Sequence, residues 1–210
     1  MNKKVLVLIV LLGLIAVTVY NFIGASTTTE GYIDKITAER QEKDEMFKHA
    51  DDSPLTEEQK EIFSSLNYFP VSEKYRINAE FRKNPIEQII KMAITDGSQR
   101  EYYIYGNAHF HLSGKELNLT VYKSVKSEVD YLFIPFYDVT SAELTYGGGR
   151  YVEPEVIDGG TLEIDFNLAY NPYCAYNHTY RCPIPPQDNN LDVSILAGEK
   201  IPEFVNFENL

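Results

Sequence analysis

The chain has 210 residues, with 31 acidic against 19 basic side chains and a formal net charge of −12. This balance excludes nucleic acid and anionic lipid as favoured partners, because a negative field repels polyanions. With 44% hydrophobic residues and two cysteines, the chain is neither disordered nor a disulfide-rich miniature scaffold, and its length suits one domain with a real core.

Asn2, Lys3 and Lys4 precede an uncharged run from Val5 to Ala25 in which Asn21 is the strongly polar interruption. At 1.5 Å per helical residue this run reaches about 30 Å, the thickness of a hydrocarbon core. The leading lysines favour a cytoplasmic N-terminus. The expected order is residues 1–4 in the cytoplasm, 5–25 as a transmembrane signal anchor, 26–52 as a juxtamembrane helical segment and 53–210 as an extracytoplasmic β-rich domain. That places the domain in a bacterial cell envelope, anchored in the inner membrane and facing the periplasm or exterior. Ile23-Gly24-Ala25 also fits a signal-peptide cleavage site, and cleavage there would leave the domain secreted.

Gly31 to Lys48 is charged and free of proline, with helix-compatible i,i+4 pairs Glu39/Lys43 and Asp44/Lys48 and a thin apolar stripe of Ile33, Ile36 and Phe47. Asp51-Asp52-Ser53-Pro54 should stop this helix. Thr56 and Gln59 have capping-box spacing, and Ile62, Phe63 and Leu66 are expected to give the next short helix its buried face.

After Pro70 the hydrophobic period becomes two. Tyr75, Ile77, Ala79 and Phe81 alternate with Arg76, Asn78, Glu80 and Arg82, which predicts a strand with one face packed and one wet. Ile90, Met92 and Ile94 predict a second strand, and Tyr102, Ile104, Ala108, Phe110 and Leu112 a long third one. Ser113-Gly114-Lys115 should turn the chain into a partner carrying Leu117, Leu119 and Val121. Leu132, Ile134 and Phe136, then Leu162, Ile164 and Phe166, add two more. The expected fold class is mainly β, an antiparallel β-sandwich or barrel-like domain preceded by the N-terminal apolar helix and one or two short helices. The C-terminal third, broken by Gly147-Gly148-Gly149, Gly159-Gly160 and Pro172, Pro183, Pro185 and Pro186, reads as ordered loops of the kind that carry function.

Polar chemistry concentrates there. On the strand Thr161 to Asn167 the apolar side takes Leu162, Ile164 and Phe166, leaving Glu163, Asp165 and Asn167 on the other face. Arg150 and Tyr151 leave the glycine turn, and Tyr170 and Asn171 follow the strand. Gathered under loops, these seven side chains would orient a small polar ligand. In open solvent they are surface groups, and Arg150 with Asp165 can equally be a structural ion pair. Cys174 and Cys182 are expected to form a disulfide in an oxidising compartment. The four-residue spacing of Cys174, His178 and Cys182 also suits soft metal ligands, but three ligands fall short of a structural zinc site. His109 and His111 share a face of the long strand, where a mixed polar hairpin surface explains them as well as a metal does. No metal or other cofactor is assigned. G-x-S-x-G, H-E-x-x-H, P-loop and dinucleotide motifs are absent.

Several of these stretches together resemble a known family. Phe136-Tyr137-Asp138-Val139-Thr140-Ser141, Thr145-Tyr146-Gly147, Arg150-Tyr151, Asp165-Phe166-Asn167-Leu168-Ala169-Tyr170-Asn171-Pro172, Cys174, Cys182-Pro183 and Ala197-Gly198-Glu199-Lys200 are similar to domain of unknown function family 1684. Ser53-Pro54-Leu55, Tyr68-Phe69-Pro70, Arg100-Glu101-Tyr102 and Tyr105-Gly106 match its earlier segments. The resemblance implies a domain from about Glu39 to Lys200 and supplies no catalytic residue. From the residues, the first expectation is a membrane-anchored module binding a small polar ligand or envelope component. The alternatives are an enzyme with acid–base chemistry at Asp165 and anion binding by Arg150, and a pocketless domain that meets another envelope protein.

Overall fold

The computed structural model describes residues 29–125 and 131–203. The expected membrane span, residues 5–25, lies outside the described residues, among which no helix is long and apolar enough to cross a membrane. The chain divides into two compact units, Met1–Glu39 and Arg40–Leu210. The described part of the first is helical, with Lys35 and Glu39 paired at 3.7 Å and the Thr37 hydroxyl donating to the Ile33 carbonyl at 2.7 Å. Helical residues 29–49 form α1, and those from residue 40 onward open the second unit.

Helix α2, Glu57–Ile62, starts with the expected capping box: Thr56 accepts from the Gln59 N–H, and the Gln59 side chain accepts from the Thr56 N–H. The helix buries none of its own residues. Six residues are too few to build an apolar stripe, so Ile62 is exposed, while Phe63 and Leu66 are buried after the helix has ended.

Seven strands follow: β1 Arg76–Ala93, β2 Gln99–Leu112, β3 Lys115–Ser124, β4 Leu132–Phe136, β5 Arg150–Val152, β6 Glu155–Val156 and β7 Thr161–Asp165. They form one antiparallel sheet in the order β5-β4-β3-β2-β1-β7-β6. The two strands expected before residue 95 are a single strand, β1, whose register against β2 jumps between Lys83 and Gln88. The irregular segment holding Asn84 and Pro85 absorbs the proline and moves the core face from odd positions (Ala79, Phe81) to even ones (Ile90, Met92). Between β2 and β3, Ser113 and Gly114 both have positive φ, 53° and 77°, as a two-residue hairpin turn requires.

A sandwich of two packed sheets is not what forms. The single sheet curls into a half-barrel, and the β5 residue Tyr151 exchanges two backbone hydrogen bonds of 2.9 Å with Tyr170, downstream of β7. The C-terminal segment takes the place of a second sheet: Leu191, Val193, Ile195 and Ala197 pack into the core with Phe81, Phe110, Leu119, Ile134, Val152 and Leu162. Each of the leucine, valine, isoleucine and phenylalanine side chains contributes roughly 1.5–3 kcal/mol by leaving water. One strap of chain therefore seals the concave face.

Candidate functional site

The strap is held by a buried polar frame, to which two of the polar residues singled out in the sequence, Arg150 and Asn171, belong. Arg150 is 1% exposed. Its guanidinium donates to the carbonyls of Ile195 (3.0 Å), Glu199 (3.1 Å) and Ala197 and faces Asp138 Oδ2 at 3.5 Å. Burial pushes the guanidinium pKa down, and Asp138 and Glu199 oppose that shift. The ion pair is thus with Asp138, not Asp165. Asp138 also accepts from the Ile195 N–H at 2.6 Å and from the Thr140 hydroxyl at 2.8 Å.

Asp165 acts locally, and Asn167 ties the end of β7 to Ser72. Strand β7 ends at Asp165, whose Oδ1 caps the 3-10 turn Phe166–Leu168 by accepting from the Asn167 backbone N–H (2.9 Å) and side-chain amide (3.0 Å). The strand parity expected to carry on to Asn167 is broken by that turn. The Asn167 amide instead clasps Ser72, accepting from its N–H at 2.9 Å and donating to its carbonyl at 2.8 Å. Glu163 pairs with Arg76 at 2.9 Å across the β1–β7 ladder. Asn171 donates its backbone N–H to Glu199 Oε2 (2.8 Å) and its side chain to the Lys200 carbonyl (2.9 Å). Arg150, Glu163, Asp165, Asn167 and Asn171 are therefore engaged by protein partners, and none of the five lines the aromatic cavity.

Tyr151 and Tyr170 do meet at a cavity. It has a volume of about 450 Å³, within the range of small-molecule sites. Tyr102 from β2, Phe133 from β4, Tyr151 from β5 and Tyr170 form its aromatic walls, with centroid distances of 5.1 Å for Tyr102–Phe133, 6.0 Å for Phe133–Tyr151 and 5.8 Å for Tyr151–Tyr170. Burial pushes the Tyr151 and Tyr170 phenols well above their ordinary value, so they stay neutral. Tyr151 donates to the Pro183 carbonyl and Tyr170 to Glu153 at 2.9 Å.

Three cations border this cavity: Lys43, Arg100 and Arg181. Lys43, on α1, is fixed by the buried carboxylate of Glu199 at 2.6 Å, with its ammonium 4.6 Å from the centre of the Tyr170 ring. The Tyr176 hydroxyl donates to the same carboxylate at 2.6 Å. Arg181 pairs with Asp96 at 3.2 Å. Arg100 has the strand parity of Tyr102 and makes no ion pair with a carboxylate among the described residues. Lys43, Arg100, Tyr102 and Phe133 did not stand out in the sequence as site residues. The Arg100-x-Tyr102 parity was the one local signal available.

The rim near Cys182 is tied to the end of β1: Thr95 N–H donates to the Cys182 carbonyl (3.0 Å), Cys182 N–H to Thr95 Oγ1 (3.1 Å), and Ile184 N–H to the Ala93 carbonyl (2.8 Å). The expected disulfide is not formed there. Cys174 and Cys182 are both free and buried, and the Cys174 backbone N–H donates to Cys182 Sγ at 3.2 Å. The adjoining Cys174 side chain favours the thiolate of Cys182, lowering it to about 7, while the same contact and burial push Cys174 up. Donation to one sulfur stabilises it as a thiolate, an arrangement of the reduced pair. Among the described residues no three His, Cys, Asp or Glu side chains gather as a metal site, so the spacing of Cys174, His178 and Cys182 does not become a common ligand set. His109 and His111 sit opposite Asn118 and Glu116 on the hairpin, away from the core positions.

A family model described as a protein of unknown function (DUF1684) matches residues 61–200. Among solved structures, the solution NMR structure of an uncharacterized protein of Haloarcula marismortui is 33% identical, with a TM-score of 0.65, covering 83% of this chain and 96% of that one. No curated protein matches. With the family's model matched across the sheet, the cavity walls and the strap, the chain belongs to the DUF1684 family.

Proposed function

We propose that the domain binds a small anionic molecule carrying a flat apolar group in the aromatic cavity. The observation that carries this is the convergence of Lys43, Arg100 and Arg181 on tyrosine and phenylalanine walls in a chain whose net charge is −12. A carboxylate or phosphate there would meet guanidinium and ammonium donors, whose charge-assisted hydrogen bonds are roughly twice as strong as neutral ones. A planar ring would stack on Tyr102 or Tyr170, at roughly 0.5–1.5 kcal/mol per aromatic pair beyond area burial. Arg100 is the first choice of anion partner, because Lys43 and Arg181 are already engaged by Glu199 and Asp96. Anchoring through residues 5–25 belongs to the same proposal, since it would hold the cavity among envelope solutes.

The test is ligand-observed saturation-transfer NMR on the full chain in detergent, with a panel of benzoate-type and indole carboxylates and their neutral amides. Carboxylates should bind and amides should bind more weakly. Arg100→Glu should weaken the carboxylates by about tenfold or more, since it exchanges an attraction for a repulsion in a partly desolvated site. Equal binding by the variant and the wild type, or none by either, would remove the proposal.

A further inference from the structure

We propose that Cys182 and Cys174 are a redox-active dithiol that exchanges with small-molecule disulfides admitted to the aromatic cavity. Three observations converge on it. The two residues are in contact, with the Cys174 N–H on Cys182 Sγ at 3.2 Å, and both are free. Cys182 lines the aromatic cavity together with Arg100, while Cys174 lines a second cavity of about 540 Å³ with Tyr146 and His178, so each member of a buried pair borders open space. Cys182 is also held from both sides by its two backbone hydrogen bonds to Thr95, whereas Cys174 sits in the single 3-10 turn Tyr173–Ala175.

Geometry makes the two thiols unequal, which assigns their roles: the Cys174 N–H donates to Cys182 Sγ, and Cys182 shares its cavity with the Arg100 guanidinium, so the donor and the cation both favour the thiolate at Cys182. The Cys182 pKa is lowered in the same sense. An attacking thiol works best when its pKa lies near ambient pH. The Cys182 thiolate attacks one sulfur of RS–SR, forming Cys182–S–S–R and expelling RS⁻, which takes a proton from solvent. Cys174 then gives up its proton to solvent and attacks Cys182 Sγ, breaking the mixed disulfide and expelling the second RS⁻. Two electrons pass from the cysteines to the substrate, RS–SR becomes two RSH, and the protein holds one disulfide. Excess RSH drives the same steps backwards. The acidic-ligand reading is not required: a chain that binds aromatic acids without thiol exchange loses this inference alone, and thiol exchange without such binding loses only the other.

The probe is dithiobis(nitrobenzoate), an aromatic carboxylate disulfide, added to the full-length chain after reduction and removal of the reductant. The wild type should release two equivalents of chromophore and end lighter by two hydrogens with no adduct. Cys174→Ser should release one and keep the adduct, and Cys182→Ser should react at least about tenfold more slowly. Arg100→Gln, which retains both thiols, should react several-fold more slowly, with its pH midpoint moved above the wild type's, because a cation favouring the Cys182 thiolate is removed. The proposal is overturned if folded wild type reacts at pH 7 no faster than the urea-unfolded chain. It is equally overturned if the oxidised protein resists dithiothreitol under native conditions, since the bond would then be a fixed crosslink.

Discussion

Arg150→Met separates a structural role from a ligand-binding one at a residue that the sequence alone leaves ambiguous. Methionine keeps an apolar stem beside Phe136, over whose ring the guanidinium lies at 5.4 Å, but removes every donor. The carbonyls of Ala197, Ile195 and Glu199 then lose a partner at a position only 1% exposed, and Asp138 loses its cation. Breaking a buried ion pair from one side costs roughly 3–5 kcal/mol, and each unsatisfied buried acceptor costs roughly 1–3 kcal/mol. Asp138 retains its bonds to Thr140 and Ile195, and the strap can shift to hydrate some carbonyls, so about 3–4 kcal/mol is expected. For a domain of this size that corresponds to a fall of about 10 °C in Tm. Urea unfolding followed by tyrosine fluorescence and far-ultraviolet circular dichroism measures it. Hydrogen exchange should quicken first at Ile195 and Glu199. Adding Asp138→Asn to Arg150→Met should recover part of the loss, because the stranded charge is removed. A loss below about 1 kcal/mol would refute the strap-frame account and return Arg150 to the ligand-binding candidates.

Gly198→Ala tests the strap from its backbone. Gly198 has φ of +74°, and a Cβ there would press on the Ala169 carbonyl and lie 2.8 Å from the Phe166 carbonyl, so a loss of roughly 1–3 kcal/mol is expected by thermal unfolding. A pH series of urea midpoints tests the cysteine pair. In the fold Cys182 titrates at about 7 against 9.0 ordinarily, so its contribution to stability is complete above about 9 and is lost as pH falls through about 7. Cys174 is raised and has the opposite sign, losing its contribution as pH rises above its unfolded value, so stability of the reduced protein should climb from pH 7 and peak near 9. Cys182→Ser should flatten that climb, and an unchanged slope would refute a stabilised thiolate at Cys182.

The features that short stretches specify were legible in advance. Alternation at Tyr75 to Phe81, at Tyr102 to Leu112 and at Leu117 to Val121 gave the strands, because side-chain period follows from backbone stereochemistry alone. The Thr56/Gln59 cap and the Ser113-Gly114 turn are local hydrogen-bond and dihedral preferences of the same kind. Leu191, Val193, Ile195 and Ala197 also alternate, yet the signal there does not say that the segment would lie inside a curled sheet as a strap.

Amino-acid order alone therefore determined the antiparallel β character, the family and the hairpin turn at Ser113-Gly114. Only the tertiary structure decided that β1 pairs with β7, that Arg150 serves Asp138 and the strap and not Asp165, and that Lys43, Arg100, Tyr102, Phe133 and Cys182 surround one cavity. These partners are separated by long stretches of chain, and their meeting depends on how the sheet curls to bury its apolar face. A period-two pattern says which way a side chain points; it does not say what the fold brings to stand opposite.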